Sequence, residues 1–292
     1  MHYNPEKAIR KMQIHPEERP LSIQIFGSEV ETMANAARKA EEMGADIVDI
    51  NMGCWVPKVC RQGAGAALLK DPDVAEAIVR AVVKAVKVPV SVKVRAGWDY
   101  SQFAAPELAK RFEDAGAKMI TLHARFAKQG FDGEADWDLI SRMRETVKVP
   151  LVGNGDVKTP KDARKMFERT GCDGVMVGRA AISNPWALRD IVCEVRGLPI
   201  PPAPSLEERA KLALEHLRLM ILDHCQASTI EEAQELPDFA QKELASCRHM
   251  RGQLPMYMKG APGAAQLRER LTKCNSYAEV EDQLGAFLLQ TA

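Results

Sequence analysis

A short run of reactive side chains follows the apolar segment 47–50, at the point where a strand would end. Cys54 offers a thiol, Lys58 offers an amine, and Asn51 stands just before them. Parallel α/β enzymes build their active sites from polar side chains at strand ends. A thiol placed there can act as a nucleophile or as a proton donor. Most cysteines in proteins are structural, but these surroundings make Cys54 the candidate catalytic residue.

Two further apolar runs carry charged or titratable side chains near their ends. Lys93 and Arg95 lie two residues apart, so both side chains lie on one face of a strand. A lysine inside a sheet is costly unless it meets an anion, which favours a ligand anion here. His123 and Arg125 end the next run in the same way. His123 is therefore either a site residue or an ordinary hydrogen-bonded histidine.

Glycine-rich turns follow the last two predicted strands. One is Gly153-Asn154-Gly155-Asp156 and the other is Gly178-Arg179. Loops after the final strands of a (β/α) barrel commonly bind phosphate through glycine N–H groups. The alternative is two tight turns, which leaves Arg179 unexplained. A phosphate, a lysine for an anionic ring edge and a nearby thiol together point to flavin mononucleotide (FMN).

Strands and helices alternate strictly over residues 21–196, which predicts parallel strands joined by crossover helices. The predicted strands are Ser22–Phe26, Ile47–Asn51, Val88–Arg95, Met119–His123, Pro150–Gly153 and Gly174–Gly178. The predicted helices between them are Val30–Met43, Asp73–Val86, Pro106–Ala115, Asp136–Val147 and Lys161–Arg169. The pattern favours an α/β fold of the TIM type, a (β/α) barrel with only about six of its eight units. Residues 1–18 look helical.

Two repeated junctions between helix and strand support this fold. Gly44, Gly116 and Gly171 each follow a predicted helix, where a left-handed glycine cap is expected. Pro89 and Pro150 stand at the first position of their predicted strands, where a missing N–H is tolerated. The sequence therefore predicts two alternating kinds of βα unit.

The remainder of the chain predicts a second, helical domain. Residues 197–204 form a proline-rich linker after a barrel domain that covers residues 1–196. Ser205 and Glu208 form a capping box, which predicts the start of a helix. Residues 205–292 are helical in pattern.

Composition limits the classes of protein to consider. The chain of 292 residues has 40 basic and 40 acidic residues, and this neutral balance counts against a nucleic-acid partner unless the charge is unevenly placed. Between Lys242 and Lys273, however, seven basic residues against two acidic ones leave an excess of five. No apolar run approaches the ~18 residues of a membrane span, and no secretory signal is present. Seven scattered cysteines without metal spacing predict reduced thiols in a cytoplasmic protein; the oligomeric state is left open.

The motifs and their order resemble the bacterial tRNA-dihydrouridine synthases. The matching segments are residues 23–28, 49–54, 91–95, 122–125, 153–156, 174–179 and 257–265. The resemblance implies an FMN enzyme in which NADPH reduces the flavin, and the flavin then reduces C5=C6 of a uridine in tRNA. It implies that Cys54 is the general acid that protonates C5.

The resemblance also implies roles for the other candidates. The residues expected to contact the flavin ring are Gln24 and Lys93. Those expected to hold its phosphate are Asn154, Gly155, Asp156, Gly178 and Arg179. Those expected near the substrate are Asn51, Lys58, His123 and Arg125. The helical domain is expected to bind tRNA through its basic excess, and the target base has to leave its stack.

The chain departs from the family pattern in two places. The family usually has proline directly after the catalytic cysteine, whereas Trp55 stands here and is expected to crowd or stack on the incoming base. Family members also begin with a flavin-contacting Ala-Pro-Met-Ala-Gly strand and a second βα unit, and neither precedes Ser22. The expectation is a shortened chain that binds flavin weakly. The alternatives are a non-catalytic tRNA-binding fragment and another FMN barrel oxidoreductase that acts on a free pyrimidine.

Overall fold

The computed structural model describes residue 9 and residues 12–291, which divide into two compact units. The first unit ends at Gly178 and the second begins at Arg179. The helix predicted over residues 1–18 falls mostly outside the described residues, and Pro16–Glu18 form a 3-10 turn. The domain boundary predicted at residues 197–204 stays a prediction.

The first unit holds a six-stranded parallel sheet in which each strand pairs with the next along the chain. The strands are β1 (Ser22–Ile25), β2 (Ile47–Met52), β3 (Val90–Arg95), β4 (Met119–His123), β5 (Leu151–Asn154) and β6 (Gly174–Met176). The helices are α1 (Val30–Glu42), α2 (Pro57–Cys60), α3 (Pro72–Ala85), α4 (Ala105–Asp114), α5 (Asp138–Arg144) and α6 (Pro160–Thr170). This is the strand order of a (β/α) barrel, and the predicted six units are confirmed. The sheet is open, because among the described residues β1 pairs only with β2 and β6 only with β5.

The junctions between helix and strand follow the predicted chemistry. Gly44, Gly116 and Gly171 have φ of 91°, 106° and 63°, which confirms the left-handed caps. The two prolines precede their strands instead of opening them, a small correction to the prediction. Proline cannot donate to the ladder, yet the carbonyls of Pro89 and Pro150 each accept a hydrogen bond at 3.0 Å from the neighbouring strand.

Alternation along each strand separates a packing face from a polar face. On β3, Val90, Val92 and Val94 are buried in the apolar core, while Lys93 and Arg95 lie on the opposite face. The core side receives helix residues such as Ile78 and Phe112, both fully buried. The polar face of the sheet is therefore available for the site.

The second unit is helical throughout its regular elements. They are α7 (Arg179–Ser183), α8 (Trp186–Val195), α9 (Leu206–Cys225), α10 (Ile230–Gln234), α11 (Phe239–Met250), α12 (Leu254–Tyr257), α13 (Ala264–Leu271) and α14 (Tyr277–Thr291). The predicted capping box is confirmed: Ser205 Oγ accepts from Glu208 N at 3.1 Å, and Glu208 Oε2 accepts from Ser205 N at 2.7 Å. Leu217, Ile221 and Phe287 lie in a common apolar core. Within residues 12–291, none of the helices has the length and apolarity needed to cross a bilayer.

Candidate active site

The candidate site lies on the polar face at the carboxyl end of the sheet, where register brings the predicted residues together. Asn51 of β2 is the register partner of Lys93 on β3. One layer further along, His123 of β4 is paired with Arg95 on one side and with Asn154 of β5 on the other. Residues from four successive strands thus meet at one end of the sheet.

The loop that carries Cys54 is fixed by hydrogen bonds on both sides of the thiol. Asn51 Oδ1 accepts the backbone N–H groups of Gly53 at 3.1 Å and of Cys54 at 2.9 Å. The Cys54 carbonyl accepts from Ala66 N at 2.9 Å. Gly65 has φ of 63°, and a Cβ there would lie 2.6 Å from that carbonyl oxygen, so this close approach requires glycine. The half-buried thiol is therefore held at a defined place.

A chain of polar side chains crosses β1, β2 and β3 beneath the loop. Ser91 Oγ donates to Asp49 Oδ1 at 2.6 Å, and Gln24 Nε2 donates to Asp49 Oδ2 at 2.6 Å. Asn51 Nδ2 in turn donates to Gln24 Oε1 at 2.6 Å. Burial raises the pKa of Asp49, while Ser91, Gln24 and Lys93 act to lower it. Sequence reasoning missed Asp49 and Ser91, although Asp49 lies two residues before Asn51 and hence on the same strand face.

Lys93 points into the site with an unsatisfied amine. Burial and, to a smaller extent, the charge of Arg95 lower the pKa of Lys93, and Asp49 and Cys54 oppose them, with a net value of about 8. Among the described residues its amine makes no hydrogen bond or ion pair. Its register partner on β4, Thr121, is buried and its hydroxyl is likewise without a partner there. Thr121 is buried and Lys93 is partly buried, and buried polar groups need partners, so the two fit the polar edge of a bound ligand.

His123 is kept neutral by its surroundings. Burial and the nearby cations Arg95, Lys93 and Arg125 lower the pKa of His123 to about 3, and Asp156 opposes them. The ring lies close to the backbone of the next loop, where a Cβ on Gly155 would be 3.3 Å from His123 Cδ2. A neutral imidazole can donate or accept one hydrogen bond to a ligand.

Two buried arginines tie loops together at the mouth of the site. Arg95 Nε donates to the Gly53 carbonyl at 3.0 Å, and Arg95 Nη1 donates at 2.8 Å to the carbonyls of Phe126 and Gly130. Arg125 forms a two-pronged pair with Asp156, at 3.1 Å to Oδ1 and 2.7 Å to Oδ2. Charge-assisted bonds of this kind position loops firmly.

The arginine pair affects two predicted roles. Asp156 Oδ2 also accepts from Ala135 N at 2.8 Å, so the carboxylate is engaged by protein. Arg125 is 1 % exposed and is turned toward Asp156. The pair supports the loop walls directly, while a phosphate contact by Asp156 and a substrate contact by Arg125 stay predictions.

The remaining predicted residues are Asn154, Gly178, Arg179 and Lys58. Asn154 Nδ2 donates to Met176 O at 2.9 Å and links β5 to β6. A Cβ on Gly178 would meet no atom within 4 Å, which leaves open space beside this backbone. Arg179 belongs to the second unit, and Lys58 is exposed on α2. The structure thus brings together Gln24, Asn51, Cys54, Lys93, His123 and Asn154.

Comparisons with known proteins place this chain in one family. The family model described as "Dihydrouridine synthase (Dus)" matches residues 1–292. "Probable tRNA-dihydrouridine synthase 1" of Synechocystis sp. is 40 % identical over 273 residues, 94 % of this chain and 72 % of the relative. "tRNA-dihydrouridine synthase B" of Pseudomonas putida is 40 % identical over 215 residues, 74 % of this chain and 64 % of the relative. "tRNA-dihydrouridine synthase B" of Pseudomonas aeruginosa is 37 % identical over 251 residues, 86 % of this chain and 76 % of the relative.

Proposed function

The chain belongs to the dihydrouridine synthase family, and on that premise we propose that it reduces the C5=C6 bond of a uridine in tRNA, with FMN as cofactor and NADPH as reductant. One observation carries the proposal. Asn51 is the register partner of Lys93 and also the hydrogen-bond acceptor for the backbone of Cys54. The thiol and the ammonium group therefore share one end of the sheet, as flavin-dependent reduction with a protein acid requires.

The polar face offers a binding place for the flavin ring. The buried hydroxyl of Thr121 has no hydrogen-bond partner among the described residues, and the amine of its register partner Lys93 makes no hydrogen bond or ion pair with them. Gln24 is bonded at both ends of its amide, to Asp49 and Asn51, so its remaining N–H is what it can offer to the ring. When bound, FMN supplies a hydride to C6 of the uracil.

Cys54 then acts as the proton donor. Reduction of C5=C6 adds a hydride at one carbon and a proton at the other, and the thiol delivers the proton to C5. Because the side chain is partly exposed, solvent can return a proton to sulfur after each turnover. Asn51 holds the loop so that the thiol keeps its place during the reaction.

The second unit supplies the surface that we propose for tRNA. Of the seven basic residues between Lys242 and Lys273, two form ion pairs, Lys242 with Asp238 and Lys273 with Glu269. Three others are exposed, and their side chains make no hydrogen bond or ion pair within residues 12–291: Arg248, Lys259 and Arg268. Unpaired cations on a surface favour contact with phosphates.

The test uses the full chain. We expect purified protein to show flavin absorbance, to oxidise NADPH when unmodified tRNA is added, and to increase the mass of one uridine by two hydrogens. Cys54→Ala should keep the flavin and lose dihydrouridine formation. The matched control is Cys193→Ala, which removes another partly exposed thiol from α8 of the second unit and should leave dihydrouridine formation unchanged.

Two outcomes would contradict the proposal. Reduction of a free pyrimidine without any product in tRNA would indicate a different flavin oxidoreductase. Retention of tRNA by a protein without flavin absorbance or NADPH consumption would indicate a binding protein.

A further inference from the structure

The exposed aromatic side chains of the described residues all follow strands of the sheet. Among residues 12–291 they are Phe26, Trp55, Tyr100 and Phe131, with exposures of 59 %, 37 %, 69 % and 47 %. They lie in the segments that follow β1, β2, β3 and β4 respectively. Single exposed apolar residues are ordinary, but here four successive loops at the carboxyl end of one sheet each carry an exposed aromatic ring. We call these four residues the aromatic rim.

The rim is rigidly supported around Trp55. Its ring meets the Phe131 ring edge-on, with centroids 6.1 Å apart. A Cβ on Gly130 would lie 3.4 Å from Trp55 Cη2, so the indole packs against this glycine. Arg95 binds the carbonyls of Gly53 and Gly130 together, which fixes the two loops that carry Trp55 and its support. An aromatic group held in this way loses little entropy when a ligand stacks on it.

The charges beside the rim indicate its partner. Lys58 and Arg61 lie exposed on α2 and just after it, a few residues from Trp55. Lys128, between β4 and Phe131, is exposed and pairs with Asp99. Aromatic platforms next to cations are how proteins bind single-stranded nucleic acid, because every base has a π-face and every nucleotide a phosphate.

We propose that Trp55, supported by Phe131, stacks on an unpaired nucleobase of RNA and that the rest of the aromatic rim receives its neighbours. The inference rests on the proposed function for the identity of the substrate, but it concerns how RNA is held, not how it is reduced. It makes Trp55 a residue that selects single-stranded over paired RNA at the mouth of the site.

The test measures binding of an end-labelled oligouridylate to the full chain without NADPH. Trp55→Ala should weaken binding about tenfold or more, whereas Trp55→Phe should change it less than about threefold. The slope of affinity against salt should stay the same in both variants, because stacking releases no counterions. Leu289→Ala removes an apolar side chain of 84 % exposure from α14 and should change nothing.

Fluorescence gives a local readout. Oligouridylate should quench part of the tryptophan emission of the wild type, and this part should be missing in Trp55→Phe, which still binds. The same strand in a duplex should give neither quenching nor comparable affinity.

Several results would overturn the inference. Equal binding by wild type and Trp55→Ala is one, and unchanged quenching in Trp55→Phe is another. If the emission of Trp55 changes with protein concentration in the absence of RNA, the aromatic rim is instead a contact with a second copy of the chain. The two proposals can fail separately. If the wild type forms no dihydrouridine but binds RNA in a way that depends on Trp55, the proposed function is wrong and the stacking role of Trp55 stands.

Discussion

Asn51 Oδ1 accepts the backbone N–H of Cys54 at 2.9 Å, and the same oxygen accepts the N–H of Gly53 at 3.1 Å. The other end of the amide donates to Gln24 Oε1 at 2.6 Å. The position of the candidate acid is therefore set by a side chain of the sheet, and that side chain is itself fixed by the neighbouring strand. Asn51 is a positioning residue in this arrangement.

The two ends of the Asn51 amide can be tested separately. Asn51→Ala removes both, and we expect kcat for tRNA reduction to fall by about a hundredfold with flavin retained, since a small displacement of a catalytic group is that costly. Asn51→Asp keeps an oxygen for the loop N–H groups but loses the donor to Gln24, so its kcat should be intermediate. A change confined to KM, or an equal loss in both variants, would contradict the positioning role.

Lys93 predicts a pH dependence of cofactor binding. Burial lowers its pKa from 10.5 to about 8 in the folded protein. The folded state thus releases this proton at lower pH than the unfolded chain, so this group favours folding increasingly as pH rises from about 8 to 10.5. An electron-rich ring edge is stabilised by the charged ammonium form of Lys93. Because this form is lost above pH ~8, flavin affinity should weaken there. Flavin titrations across this range should show the break, and Lys93→Met should bind more weakly at neutral pH without it.

Asp49 sets where that break falls. Its carboxylate raises the pKa of Lys93, against the larger effect of burial. Asp49→Asn removes the charge and keeps an oxygen for Ser91 or Gln24, so the break in flavin affinity should move to lower pH. An unchanged break in Asp49→Asn would show that the charge of Asp49 does not act on Lys93.

Much of the fold follows from local sequence rules. Each of the six strands ends within two residues of its prediction, because apolar runs bounded by glycine caps and prolines leave few alternatives. The least accurate helix is Asp138–Arg144, predicted as 136–147, which has neither a side-chain cap at its start nor a glycine cap at its end. Ser205 gave an accurate helix start because a capping box is a local interaction.

The sequence predicts at which strand ends the site residues lie, but it does not predict their hydrogen-bond partners. Strand ends identified Cys54, Lys93 and His123, because carboxyl ends of parallel strands meet. Nothing local to Arg95 indicates that three carbonyls from two loops surround it. Such contacts depend on residues about 30 to 40 positions away, which sequence periodicity does not report.

The basic surface of the second unit predicts a salt-dependent contribution to tRNA binding. Arg248→Gln removes an exposed cation, and tRNA affinity should fall with a decrease of about one in the slope of log affinity against log salt. Lys84→Gln, an exposed lysine on α3 of the first unit, is the matched control and should leave the slope unchanged. Equal effects of the two substitutions would mean that general charge, and not this surface, governs binding.

The Arg125–Asp156 pair should matter more for stability than for chemistry. Arg125 is 1 % exposed on its side chain, so Asp156→Asn leaves a buried guanidinium without its counter-charge. We expect the free energy of unfolding to fall by about 3 kcal/mol or more. Because the pair acts as a unit, Arg125→Met combined with Asp156→Asn should cost less than the sum of the single changes.

Urea denaturation measures all three variants, and Glu269→Gln, which opens the exposed pair with Lys273, is the control that should keep its midpoint. Additive losses would show that the two residues act independently, and would leave the loop walls beside His123 held mainly by Arg95 and the backbone.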